Sequence, residues 1–367
     1  MSWESWAESA NDSIRAEGRW RALRDFDALG PNGTLEGRRV VSFASNDYLG
    51  LSAHPEVLAG AADALARWGA GSGSARLIVG SRPVHSELEA ALARWKRAEA
   101  ALLFPNGFAA NLGVLATLGG PDATIFSDEH NHASIIEGCR LARARVDIFG
   151  HLDYDSVEHM LGRAGRAIVV SDSVFSMDGD VADVERLAAA CRRHGALLVL
   201  DEAHAVLGPH VDLGGVNCLR VGTLGKFLGA MGGFVAGPRS LIELLTNRAR
   251  PFIFTTASSP ADAAAALAAL RVLCSDEGER LRARLRTLIE RVAPGHLSPI
   301  LSIVIGDERH ALKASATLLE RGMLVPAIRP PSVAPGTSRL RVTLSAAHSD
   351  EQVEALRRAL DEVANGA

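Results

Sequence analysis

The stretch "VERLAAACRRHGALLVLDEAH", residues 184–204, decides the fold. Its first part has the length and apolar spacing of a crossover helix, and Arg192, Arg193, His194 and Gly195 make a good helix C-terminus. "ALLVLD" at 196–201 then reads as a short buried strand, ending in polar residues, Asp201 and, three positions on, His204. A helix that feeds directly into a buried strand predicts a mostly parallel sheet wrapped by helices. The same alternation runs outward in both directions. Strand candidates stand at 101–104, 122–127, 144–149, 166–171, 219–223 and 232–237, with "SIIEGCRLA" and "DSVEHMLGRA" as further crossover helices. Together with 196–201 they predict a seven-stranded sheet. After an Ala-rich helix at 260–274 the pattern changes to "ILSIVIG", a helix, "SRLRVTLSAAH" and a final helix from Asp350, a small α+β domain. The expected organisation is a helical arm at 1–40, a large α/β domain at 41–279 and a small C-terminal domain at 280–367.

Composition narrows the function. Hydrophobic residues make up 47% of the 367 positions, enough for a large core. The net charge is -4, and acids and arginines are interspersed, so no basic stripe for nucleic acid is expected. The longest apolar runs are strand-length, and the first residues lack a signal-peptide pattern, so neither membrane insertion nor export is expected. Cys139, Cys191, Cys218 and Cys274 are scattered with no CxxC, as in a reduced cytoplasmic protein. His130 and His132 in "DEHNH" stand two apart with no third ligand cluster, and no metal is expected.

Ligands of open parallel sheets bind beyond the carboxyl ends of the strands, where the informative polar residues therefore lie. Asp201 and His204 follow one strand, Ser176 and Asp178 in "SVFSMDGD" another, and Thr223 and Lys226 in "VGTLGKFLGAMGG" a third. "FPNGFAANLG" opens a helix at Gly107, whose free amides suit a phosphate. A P-loop is excluded, because Arg220 stands where its first glycine belongs and Phe227 where Ser or Thr must follow the lysine. No GxGxxG follows a strand, and no GxSxG elbow is present. The lysines are Lys96, Lys226 and Lys313; Lys96 and Lys313 read as surface residues, whereas Lys226 sits among Gly and Leu, where desolvation favours the neutral amine. A lysine for an imine, a carboxylate for a pyridinium nitrogen, a helix start for a phosphate and a ring to stack on the cofactor are the needs of pyridoxal phosphate (PLP).

"SNDYLGLSAHP", "GSGSAR", "FPNGFAANLG", "NHASIIEG", "SVFSMDGD", "DEAH", "TLGKFLG" and "RLRVTLSAAH" occur in the order found in the α-oxoamine synthases, and from about residue 40 to its end the chain resembles that family. The resemblance implies a fold type I PLP-dependent transferase that condenses an amino acid with an acyl thioester and releases carbon dioxide. "AIRPPSVAPGTSRLRVTLSAAH" at 327–348 resembles the biotin-pathway branch, which implies L-alanine and a pimeloyl thioester, on CoA or on acyl-carrier protein.

By the same resemblance Lys226 bonds covalently to the cofactor and later shuttles the proton, Asp201 partners the ring nitrogen, and His204 donates to the phenolic oxygen. His132 stacks on the ring and helps place the thioester. Gly107, Phe108 and Thr223 line the phosphate, and Ser176 makes a cofactor-side hydrogen bond. Thr255 or Thr256 lends a hydroxyl to the phosphate of a second subunit, implying a homodimer. Asn46 and Arg341 hold the amino-acid carboxylate, Ser332 touches substrate, and Arg329 is a candidate for the acyl carboxylate. An N-terminal substrate arginine is implied, for which Arg19, Arg21 and Arg24 are available and Arg24 is taken. In two respects the chain departs from the family. The stretch from His204 to Thr223 looks shorter than usual, and the glycine-rich continuation after "DEAH" is missing. Another α-oxoamine synthase, such as a glycine C-acetyltransferase, and a catalytically silent subunit are the alternative readings.

Overall fold

The computed structural model describes residues 1–208 and 211–365. In its large domain, β4 (Ala100–Phe104), β5 (Ala123–Asp128), β6 (Arg145–Phe149), β7 (Arg166–Asp172), β8 (Leu197–Asp201), β9 (Cys218–Thr223) and β10 (Gly233–Gly237) form one seven-stranded sheet, numbered after the N-terminal β1 (Phe26–Leu29), β2 (Asn32–Leu35) and β3 (Arg38–Ser42). The order is β4-β10-β9-β8-β7-β5-β6, with β10 antiparallel to both neighbours and the pairs from β9 to β6 parallel. All seven strand candidates take their places within one residue at either end.

Both faces of the central strands are buried, so β7, β8 and β10 read as near-continuous apolar runs, whereas the edge strand β6 is half exposed. In β7 and β8, Ile168, Val170 and Val199 pack on one face while Val169, Leu198 and Leu200 pack on the other, the period-two alternation of a strand. The opening stretch shows how the layers meet. The helix Val184–His194 is capped by the Asp183 carboxylate on the Arg186 amide and stops at Gly195, whose φ of 64° is the left-handed geometry glycine accepts. Its buried Val184, Leu187, Ala188 and Cys191 lie against β7 and β8.

The small domain holds β11 (Ile300–Gly306), β12 (Met323–Leu324), β13 (Ala327–Ile328) and β14 (Ser338–Thr343), in which β14 lies between β11 and β13. Two expectations change. The segment 1–40 is helical only over Trp3–Ala16; β1, β2 and β3 then form an antiparallel meander that pairs with β12, and so joins the small domain. The turn between β2 and β3 is Glu36–Gly37, both at positive φ (51° and 78°), the two-residue hairpin that matches strand twist. The boundary at 280 falls inside a single helix, Asp276–Val292, started by the Ser275 cap. Among the described residues no helix is long and apolar enough to cross a membrane.

Candidate active site

The carboxyl ends of the parallel strands deliver the polar residues to one edge. Lys226 sits at the tip of a compact turn between β9 and β10, closed by Ala230 N–H to Leu224 O (2.9 Å) and Gly229 N–H to Lys226 O (2.8 Å). Gly229 is required there: its φ is 63°, and a Cβ would lie 2.3 Å from the Ser52 nitrogen. Burial pushes the Lys226 ammonium below its ordinary range, while Asp201 and Asp172 pull the other way.

Lys226 Nζ lies 2.7 Å from His204 Nε2. On the other side of that ring, Tyr48 Oη is 2.6 Å from His204 Nδ1 and donates to Asn46 Oδ1 at 2.9 Å. With its proton on Asn46, the Tyr48 oxygen accepts from Nδ1–H, so the Nε2 lone pair faces Lys226. Burial and the Lys226 charge hold the His204 imidazole neutral, well below its usual range. Asn46 Oδ1 also accepts from Arg341 Nη2 (3.1 Å), and Arg341 Nε donates to the Ser176 carbonyl at 2.5 Å. Arg341 is thus a buried guanidinium with one edge pinned, its charge felt at the Lys226 amine.

Asp201 is buried, with Oδ1 accepting from Ala203 N–H (2.9 Å) and Oδ2 from Asn111 Nδ2 (2.6 Å). The second Asn111 amide hydrogen goes to Ser134 Oγ (2.9 Å), and Ser134 in turn reaches His132 Nδ1 (2.7 Å). A continuous chain therefore runs Asp201, Asn111, Ser134, His132. The backbone amide of His132 donates to Asp172 Oδ2 (2.7 Å), and Phe108 meets the imidazole edge-on at 6.4 Å. Asp172 faces Asp201 in register, and burial with that neighbouring charge raises its carboxyl well above the usual range.

The helix Gly107–Leu118 is capped by Asn106 Oδ1 on the Ala109 amide (2.8 Å). A Cβ at Gly107 would come within 3.4 Å of Thr223 Cβ, and one at Gly233 within 2.6 Å of the Gly107 nitrogen, so Thr223 and the bare helix start share one cradle.

Other predicted residues lie apart from this centre. Arg24 is exposed and pairs with Glu36 (3.0 Å). It is Arg19 and Arg21 that line a cavity of about 780 Å³ with Arg329 and Ser332, and Arg329 Nη1 donates to Gly18 O (2.9 Å). Thr255 and Thr256 stand beside the "GSGSAR" loop through the Ala75–Thr256 bridge and the Ala257 N–H to Ser74 O bond (3.0 Å). Lys313 is exposed as expected, but Lys96 is not a surface residue: its side chain is 9% exposed and faces Glu202, because it caps a helix that ends against the sheet. In the short loop after His204, Pro209 and His210 lie outside the described residues; beyond them Arg220 Nη2 holds Val211 O at 3.1 Å.

Sequence reasoning assigned no role to Tyr48, Asn111, Ser134 or Asp172. Asn111 carries a legible signal, a polar residue one helical turn beyond Gly107 in the otherwise apolar "GFAANLGVLATL".

Comparison with known proteins places this geometry. Residues 38–360 match the family described as aminotransferase class I and II. Curated relatives named 8-amino-7-oxononanoate synthase include one from Anaeromyxobacter dehalogenans, 49% identical with 97% of this chain and 94% of its own covered. Another, from Burkholderia mallei, is 46% identical over 95% of each chain. The chain belongs to the 8-amino-7-oxononanoate synthases of the aminotransferase class I and II family. A serine palmitoyltransferase of S. paucimobilis with bound PLP–myriocin aldimine superposes with a TM-score of 0.92 at 26% identity, covering 100% of this chain and 99% of that one. The 8-amino-7-oxononanoate synthase of Francisella tularensis superposes with a TM-score of 0.74 at 26% identity, covering 89% and 97%. The family's cofactor is PLP, and the residues fit it: a desolvated amine, a buried carboxylate with both oxygens fixed, and a helix start with Thr223 at its mouth.

The Arg341 geometry yields a first prediction. Lys cannot keep both the Ser176 and Asn46 contacts and still offer a guanidinium edge. Arg341→Lys is expected to raise KM for the amino acid by roughly 10- to 100-fold, about 1.5–3 kcal/mol, with a smaller change in kcat. Steady-state kinetics against amino-acid concentration measure this, and an unchanged KM would remove Arg341 from carboxylate binding.

Proposed function

We infer that the chain condenses L-alanine with a pimeloyl thioester to give 8-amino-7-oxononanoate, carbon dioxide and free thiol, a step of biotin biosynthesis. The observation that carries the chemistry is the partly buried Lys226 amine, 2.7 Å from a neutral His204 and within the field of Asp201. Bound PLP supplies an electron sink that stabilises negative charge on the amino-acid α-carbon. Arg341, pinned by Asn46 and Ser176, binds the alanine carboxylate and orients the α-carbon. Lys226 takes the α-proton on Nζ as a neutral base, and burial disfavours its charged form. His132, exposed at the mouth and fixed through Nδ1 by Ser134, presents its other nitrogen to the thioester carbonyl and stabilises the developing oxyanion. Arg329, with Arg19 and Arg21 in the same cavity, suits the distal carboxylate of the acyl chain.

The assembly we propose is a homodimer. Leu77, Ile78, Val79 and Phe254 are 51%, 74%, 69% and 69% exposed, and they flank Thr255 and Thr256. Exposed apolar side chains on two segments joined by the Ala75–Thr256 bridge suit a second copy of the chain, which would bring a threonine hydroxyl to the partner's phosphate cradle. The four cysteines are all free, which supports a cytoplasmic setting.

Mass spectrometry of the product tests the reading. Alanine with pimeloyl-CoA or the pimeloyl carrier protein is expected to give 8-amino-7-oxononanoate, and to turn over faster than glycine with acetyl-CoA. Faster turnover of the glycine pair would move the chain to another α-oxoamine synthase activity, and no product from either pair would favour a silent subunit.

A further inference from the structure

Glu202 follows Asp201 directly, yet its side chain points away from the site. It is 3% exposed, and its carboxylate lies 2.6 Å from Lys96 Nζ and also meets Arg220 Nη1. Lys96 and Arg220 are themselves only 9% and 16% exposed. Two cations around one buried carboxylate are costly to desolvate, and apolar residues of similar volume would give comparable stability. The extra positive charge is met locally: Lys96 Nζ lies 3.6 Å from the centroid of the Trp95 ring, and Arg220 Nη2 donates to Val211 O.

What apolar packing would not supply is direction, because it is non-directional whereas paired charges fix relative placement. The three residues come from three segments, each of which carries one part of the site. Lys96 ends the helix that leads through β4 to Asn106 and Gly107. Glu202 sits in the turn that carries Asp201 and His204, with its amide on Val221 O (2.8 Å). Arg220 lies on β9, opposite Leu200 in register, on the strand that ends at Thr223 and leads to Lys226. The residue after Lys226, Phe227, packs edge-on against Trp95 at 6.2 Å. On the side away from the site, the triad borders a cavity of about 440 Å³ whose other charged groups include Asp212, Glu279, Arg282 and Arg286.

We propose that the buried triad Lys96–Glu202–Arg220 is a positioning device that holds Asp201, His204 and the Gly107 helix start in register around Lys226. The triad touches neither substrate nor cofactor, and acts through the backbone of the residues next to it. This rests on the cofactor reading given above, and the test separates the two. Cofactor-free protein is titrated with PLP by fluorescence, its melting temperature is recorded, and kcat and KM for alanine are measured on the loaded enzyme. Glu202→Gln preserves shape and removes the charge. It is expected to raise the Kd for PLP about tenfold and to lower kcat about tenfold, with KM for alanine within about twofold, since small misplacements far from the chemistry are amplified at the reacting atoms. Lys96→Met is expected to show the same defect and Lys96→Arg to recover most of it. A lower melting temperature with Kd and kcat unmoved overturns the proposal and leaves the triad purely structural. Failure of the unsubstituted chain to bind PLP would instead sink the cofactor reading. If Glu202→Gln is not recovered as soluble protein, Arg220→Lys is measured on the same axes: a rise in Kd of about threefold or more supports the proposal, and an unmoved Kd overturns it.

Discussion

Lys226→Ala is expected to lower kcat by about 10³-fold or more and to lack the visible absorbance expected of the unsubstituted protein with bound PLP. The expectation follows from the absence of a substitute for its amine. The other lysines are Lys96, held by Glu202 behind the strands, and Lys313, exposed on the small domain. The neighbouring histidines cannot replace it, because neither His204 nor His132 carries a primary amine that could bond covalently to the cofactor. Fold should be unaffected, because the turn is held by backbone bonds at Leu224, Lys226 and Ala230 and by Gly229 against Ser52, none of which involves the lysine side chain. Single-turnover product formation and an absorbance spectrum measure the two effects together. A variant that keeps both the absorbance and more than about a tenth of the turnover would show that the amine is not the reacting group.

How much of this was legible in the sequence depends on the range of the interaction involved. Most of the seven strands were legible because they are short apolar runs, too short for helices and bounded by polar or glycine residues, while the half-exposed edge strand β6 was legible from its place in the alternation. That Lys226, Asp201 and His204 meet at one sheet edge was legible because open parallel sheets gather polar residues at the carboxyl ends of their strands. Where pairing is between distant segments the sequence was silent. The meander at 26–42 has weak, half-exposed strands and gains a partner only at Met323–Leu324, so its charged and glycine-rich composition reads as an arm. Lys96 was misread for a similar reason. A lysine at the end of an amphipathic helix is ordinarily solvated, and only the folded chain brings Glu202 to it. Asn111 and Ser134 fall between these cases: each stands inside a recognised motif, but their bridging role depends on two helices meeting, which no local spacing encodes.

Asp201→Asn is expected to lower kcat by about 10²- to 10³-fold at saturating cofactor, while the fold persists. Both carboxylate oxygens face donors, Ala203 N–H at 2.9 Å and Asn111 Nδ2 at 2.6 Å, so an amide nitrogen in place of either oxygen must oppose one of them. The arrangement has one way to relax. Asn111 Oδ1 is buried and without a partner, and turning the Asn111 amide over would let that oxygen accept from the side-chain amide introduced at position 201. The Asn111 nitrogen would then leave Ser134, and the chain that orients His132 would be cut. The substitution therefore removes the negative charge opposite Lys226 and releases the histidine at the mouth of the site in a single change, whereas stability falls by no more than about 1–3 kcal/mol, the cost of one unsatisfied buried group. The two effects can be separated with Asn111→Ala, which leaves the Asp201 charge in place. It is expected to lose activity less severely than Asp201→Asn, and the double variant should be close to Asp201→Asn alone, because residues acting through one chain are not additive. Kinetics of the three variants with urea unfolding of each decide the matter. Full additivity of the two single losses would mean that Asp201 and His132 act independently, and the hydrogen-bond chain between them would then carry no catalytic role.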